Sequence, residues 1–151
     1  MELDSISFFK AETACETFEF LRDYPKAEAY YNSSIMLQPD RASPYTELSL
    51  MLIRWKGDTK KAREILENAV RNTTSYLSDS LLTEINVLIN MYDGKYEAAL
   101  KGLSHFRSDV FQTQFYFRPK YLYYANIYGL MHKPVLEHSY YDSTRLLLEK
   151  K

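Results

Sequence analysis

Three glutamates, Glu12, Glu47 and Glu84, hold corresponding places in three successive stretches of the chain. Carboxylates repeated at a regular interval form a row of negative charge. Such a row attracts a partner rich in Lys or Arg and speeds its arrival. Glu16 and Glu19 lengthen the row beside Glu12. Met51, Arg54, Trp55, Leu88, Met91 and Tyr92 fall on or next to the same strip. Trp, Tyr and Arg anchor protein interfaces, and Met adapts to varied surfaces. The candidate partner-binding set is therefore Glu12, Glu16, Glu47, Met51, Arg54, Trp55, Glu84, Leu88 and Met91. Two competing assignments stand beside it: glutamates that only solvate helix faces, and aromatics and methionines that pack between helices.

Other reactive side chains form no catalytic pattern. His105, His132 and His138 have no acidic or Cys partner at a ligand spacing, so no metal is expected. Cys15 is the only cysteine; it can form no disulfide within the chain and reads as a small buried hydrophobe. There is no Gly-rich phosphate loop, nucleophile elbow or paired-carboxylate motif, so neither enzymatic activity nor a cofactor is expected. Aromatic residues are dense at Phe111, Phe115, Tyr116, Phe117, Tyr121, Tyr123, Tyr124 and Tyr128. A platform for stacking bases works beside a basic groove. Only Arg118 and Lys120 are nearby, so packing is the expectation there.

The formal net charge of −1 over 151 residues gives no electrostatic reason to bind nucleic acid or an anionic membrane. No basic-then-apolar leader opens the chain, and no apolar run is long enough to span a bilayer. A soluble, cytoplasmic protein is expected. With Gly 4 and Pro 5, turns are few, which favours a few long helices over many short strands.

Those helices must position the candidates. Apolar residues at spacings of three and four predict helices from Ser5 to about Arg22, from Tyr24 to Leu37, and from a Ser43-Pro44 start to Trp55. Residues 45–55 are apolar almost all round, so neighbours must cover that helix on several sides. Gly57-Asp58 turns the chain, with Asp58 as a cap. Further helices follow Asp58, begin near Ser78 or Ser80, and follow the Asp93-Gly94 turn. Ser108 to Phe117 reads as an extended connection with a short helical turn near Val110 to Thr113. Helices opened by Arg118-Pro119 and by Pro134 complete eight, in four hairpins. No Gly-, Ser- or Pro-rich linker divides them, so residues 1–151 read as one domain.

A phrase recurs through these elements. Gly57-Asp58-Thr59-Lys60-Lys61-Ala62 is echoed by Gly94-Lys95-Tyr96-Glu97-Ala98-Ala99 and, more loosely, by Arg22-Asp23-Tyr24-Pro25-Lys26-Ala27. The alanines stand 35 and 37 residues apart, a period of stacked helical hairpins. The pattern resembles the tetratricopeptide repeat, with units near 8–41, 43–76, 80–113 and 118–151. Ala27, Ala62 and Ala99 match its small position. Tyr31, Leu66, Leu103 and Tyr141 match a bulky one, and Cys15 and Ala125 match the small position of the first helix. Leu50 and Val87 depart from that last position, which should loosen or re-angle their hairpins. Glu137 and His132 depart from the pattern in the fourth unit. The resemblance implies an all-α superhelical stack of about four antiparallel hairpins that binds a protein or peptide, here a basic one, along a concave wall of first helices. The stretch from Lys120 to Glu149 also resembles repeats appended to bacterial adenylate cyclases and transcriptional regulators. That likeness implies instead a regulatory or sensor domain working through Tyr121, Tyr124 and Tyr128. Adjacent Leu146, Leu147 and Leu148 cannot all face one hairpin, so the C-terminal helix reads either as a surface for homo-oligomer formation or as part of a chain cut from a longer protein.

Overall fold

The computed structural model describes residues 7–73, 76–112 and 117–150. The fold is all-α, with helices paired as antiparallel hairpins: α1 (Phe8–Phe20), α2 (Tyr24–Leu37), α3 (Ala42–Lys56), α4 (Thr59–Asn72), α5 (Tyr76–Tyr92), α6 (Tyr96–His105), α7 (Lys120–Leu130) and α8 (Pro134–Glu149). The chain forms two compact units, Met1–Ile85 and Asn86–Lys151, and α5 contributes to both.

One left-handed residue closes each hairpin turn: Arg22 (φ 59°), Gly57 (65°), Gly94 (71°) and His132 (56°). In the first, third and fourth turns the next amide closes the helix behind it. Asp23 N–H donates to Phe18 O (2.8 Å), Lys95 N–H to Asn90 O (2.8 Å) and Lys133 N–H to Tyr128 O (2.9 Å). These bonds satisfy carbonyls that a helix end would otherwise orphan. The second helix then starts in the same register each time. Ala27, Ala62 and Ala99 lie five residues past the turn residue and are fully buried. Their small methyl side chains let the two helices approach closely.

Two departures from the pattern are absorbed by glycines on the facing helix. Val87 is fully buried, and a Cβ at Gly102 of α6 would meet its Cγ2 at 3.4 Å. Glu137 fills the alanine position of the fourth hairpin, and a Cβ at Gly129 of α7 would meet its Oε1 at 2.8 Å. Bulk added on one helix is thus removed from the other, which keeps the interface close-packed.

Three local expectations are corrected. α3 begins at Ala42, so Ser43 and Pro44 lie inside its first turn instead of capping it. Pro44 is tolerated there because first-turn amides have no helical partner. α5 begins at Tyr76, ahead of Ser78 and Ser80. The helical turn expected near Val110 is a strand: β1 (Val110–Gln112) pairs antiparallel with β2 (Phe117–Pro119), Phe111 opposite Arg118. Thr113 lies outside the described residues, as does Ser5, the expected start of the first helix.

The first unit is built around Cys15, Ala27, Tyr31, Leu48, Met51 and Leu52. α3 is buried nearly all round, as its composition demands. The second unit is built around Val87, Ala99, Leu103, Phe111, Tyr123 and Ile127. Phe111 of β1 stacks on Phe106 (4.4 Å) and meets Tyr123 edge-on (5.3 Å). The short strands therefore serve to place one ring in the core.

Candidate partner-binding surface

In the first unit α1 and α3 face each other through polar contacts. Arg54 of α3 donates to Glu19 Oε1 of α1 at 2.6 Å. Ser43 Oγ of α3 lies 3.4 Å from Glu12 Oε1. Beneath the Arg54 contact, Tyr31 of α2 donates its phenol O–H to the other oxygen, Glu19 Oε2, at 2.8 Å. Glu19 thus carries a cation on one oxygen and a phenol on the other. Burial, reinforced by the Glu19 carboxylate, holds the Tyr31 phenol well above its ordinary ionisation range. Burial likewise pushes the Cys15 thiol up to about 12. That thiol donates to Glu12 O at 2.9 Å and is chemically inert, since the thiolate is the reactive form.

The predicted wall residues divide. Glu12 and Glu47 lie ten residues before Arg22 and Gly57, the same place in successive hairpins, and both are half-buried. Glu16 is exposed. Arg54 is exposed at its head while paired with Glu19. Trp55 is half-buried, its ring stacked on Tyr24 (5.3 Å) with Lys56 Nζ 3.6 Å from its centroid. Lys56 also lies 3.7 Å from Glu28, which takes Lys61 as a second cation.

Two predicted residues lie inside instead. Met51 is fully buried in the first core, because its flank of α3 is the one α2 covers. Glu84 holds the same place before Gly94 as Glu47 does before Gly57, yet it is 1% exposed; Ser80, one turn earlier on that face, is buried too. Leu88 and Met91 belong to the second unit, half-buried against its core. Sequence reading missed Tyr24, Glu28, Tyr31 and Lys56 as participants. The Leu48, Met51 and Leu52 spacing could have marked Met51 as core. Nothing local links Glu19 to Tyr31 or Arg54.

The aromatic region is consumed by packing. Tyr140 of α8 lies against Tyr124 (4.8 Å), Tyr128 (5.4 Å) and Tyr121 (6.4 Å), all near-parallel. Phe18 and Tyr30 make the corresponding ring pair in the first hairpin, at 5.4 Å. Phe115 and Tyr116 lie outside the described residues. Among the described residues no three of His, Cys, Asp and Glu are grouped to hold a metal ion. None of the described helices is long and apolar enough to cross a membrane.

No family model, curated protein or solved structure matches the chain. The first-unit wall can offer what its atoms provide: carboxylates at Glu12, Glu16 and Glu47, a guanidinium already engaged, and one face-stacked indole.

Proposed function

We propose that this chain is a non-catalytic protein-interaction module of the tetratricopeptide-repeat kind. Its first unit takes a basic peptide along α1 and α3. The observation that carries the reading is the equivalence of Glu12 and Glu47. Both stand ten residues before a left-handed turn residue, and both keep part of their surface in water beside exposed Glu16. Carboxylates at successive repeats match a partner whose cations are spaced along an extended backbone. Arg54 and Trp55 border the row as anchors. The buried Met51 and Glu84 are left out of this surface.

A titration with a Lys/Arg-rich peptide tests the proposal. Trp55 is the only tryptophan, so its fluorescence reports from the wall itself. Binding should weaken by roughly tenfold or more in Glu12→Lys/Glu47→Lys, and should weaken as salt rises. Affinity indifferent to both changes would remove this wall from consideration. The rival reading, a regulatory domain of a bacterial signalling protein, draws on Tyr121, Tyr124 and Tyr128. Their packing against Tyr140 supports a scaffold role for those rings.

A further inference from the structure

Three residues before the turn residue, the first hairpin carries Glu19 and the second carries Arg54. The two hold the same place in successive hairpins, as Glu12 and Glu47 do ten residues before the turn residue. At the earlier place both hairpins supply a carboxylate. At the later place the sign reverses and the two side chains meet, Arg54 Nη2 lying 2.6 Å from Glu19 Oε1. Seven residues, close to two helical turns, separate Glu12 from Glu19 on α1 and Glu47 from Arg54 on α3. Each pair therefore lies along one face of its helix. Glu12 and Glu19 both reach toward α3, the first to Ser43 and the second to Arg54.

Glu19 is built as a fixed acceptor. Tyr31, 2% exposed, donates its phenol O–H to Glu19 Oε2 at 2.8 Å. That bond does not involve Arg54 and holds the carboxylate in place without it. Glu47 lies within electrostatic reach of the same phenol. The Arg54 side chain is 53% exposed, against 20% for Glu19. An ion pair open to water on its cationic side holds weakly, so an incoming cation can take its place. An acceptor already held in position loses little freedom when the new cation arrives.

We propose that Arg54 is an internal stand-in for a cation of the partner: it occupies a Glu19 subsite of the acidic wall, and a Lys or Arg side chain of the bound peptide displaces it. The inference rests on the basic-peptide reading of that wall. It adds to the wall a third carboxylate beside Glu12 and Glu47, and a contact that restrains binding. A peptide must exchange one cation for another at Glu19, so this subsite gains only the difference between the two. Arg54 then sets a threshold, favouring partners with several spaced cations over those with one.

Calorimetric titration of the full chain with a Lys/Arg-rich peptide tests the exchange, at about 0.15 M salt to screen distant charges. Arg54→Met keeps an apolar stem at an exposed position and removes the charge; it should tighten binding about fivefold. Glu19→Gln keeps an acceptor for Tyr31 and should weaken binding. In the Glu19→Gln background, Arg54→Met should gain less than about twofold, whereas mere loss of a positive charge would help equally in both backgrounds. The Arg54 Nε–H resonance of the native chain should move toward that of a free arginine as peptide is added. Equal gains in the two backgrounds, no gain, or a resonance unmoved at saturation overturns the proposal. Weaker binding by Arg54→Met also overturns it and makes Arg54 an anchor for the partner. In each of these cases a loss of binding in Glu12→Lys/Glu47→Lys leaves the wall itself standing. Binding by neither the native chain nor Arg54→Met removes the wall, and this inference with it.

Discussion

Gly57 and Arg22 do the same conformational work with different chemistry. Both are left-handed, at φ 65° and 59°. A side chain in that region collides with its own carbonyl, at a cost of about 1–2 kcal/mol. Nothing lies within 4 Å of where a Cβ would stand at Gly57, so Gly57→Ala meets only that backbone strain. It should lower stability by about 1 kcal/mol in urea unfolding. Arg22→Gly runs the other way. The released strain is offset in part by the freedom Gly adds to the unfolded chain, about 0.4–1 kcal/mol, so the variant should be neutral to slightly stabilised. Ser34 offers a second test. It is fully buried, and its Oγ finds no hydrogen-bond partner. A buried, unsatisfied hydroxyl costs about 1–3 kcal/mol, so Ser34→Ala should raise stability by about 1 kcal/mol. A loss on thermal or urea unfolding would mean that the hydroxyl is satisfied after all.

The helices begin and end where local chemistry directs. Asp58 accepts from Lys61 N–H at 2.9 Å and Asp23 from Lys26 N–H at 3.4 Å, each capping the second helix of its hairpin. Lys95 and Lys133, at the equivalent places, give no such cap. Asp58→Ala should cost about 1 kcal/mol, and Asp23→Ala less because its bond is longer; paired urea titrations would rank them. The fourth hairpin tests compensation between elements. Gly129→Ala alone pushes the Glu137 carboxylate aside. Gly129→Ala/Glu137→Ala restores the small-residue contact of the other hairpins and removes a helical glycine. The double variant should therefore be more stable than the native chain by about 0.5–1 kcal/mol. A double variant that melts below the native protein would show that the carboxylate holds α7 and α8 together. The caps at Asp58 and the turns at Gly57 and Gly94 were readable because they involve residues within one turn of each other. The β1–β2 pair was not. Three-residue strands are too short to show an alternating pattern, and Phe111 is buried by Phe106 and Tyr123, neither of them its neighbour in a strand.

Across the molecule, buried acids make stability depend on alkaline pH. The Cys15 thiol ionises near 9.0 when exposed and near about 12 when folded, and burial raises Tyr31 as well. Between those values the unfolded chain has lost protons that the folded chain retains. Stability should therefore be unaffected below about pH 9 and fall as pH rises toward 12. Cys15→Ala should flatten the first part of that fall in urea titrations at successive pH values; an unchanged profile would show that the thiol is not desolvated. The hairpin period, the all-α class and the turn positions were legible because each rests on interactions between residues close in the chain. Periodicity places a residue at an angle around its helix but does not say which flank a neighbour will cover. That is why Glu47 meets water while Glu84, in the same register, is enclosed, and why Met51 left the wall for the core. The Tyr31–Glu19–Arg54 contact likewise exists only because α1, α2 and α3 converge. Packing between helices, which depends on residues far apart in the chain, decided which carboxylates keep contact with water.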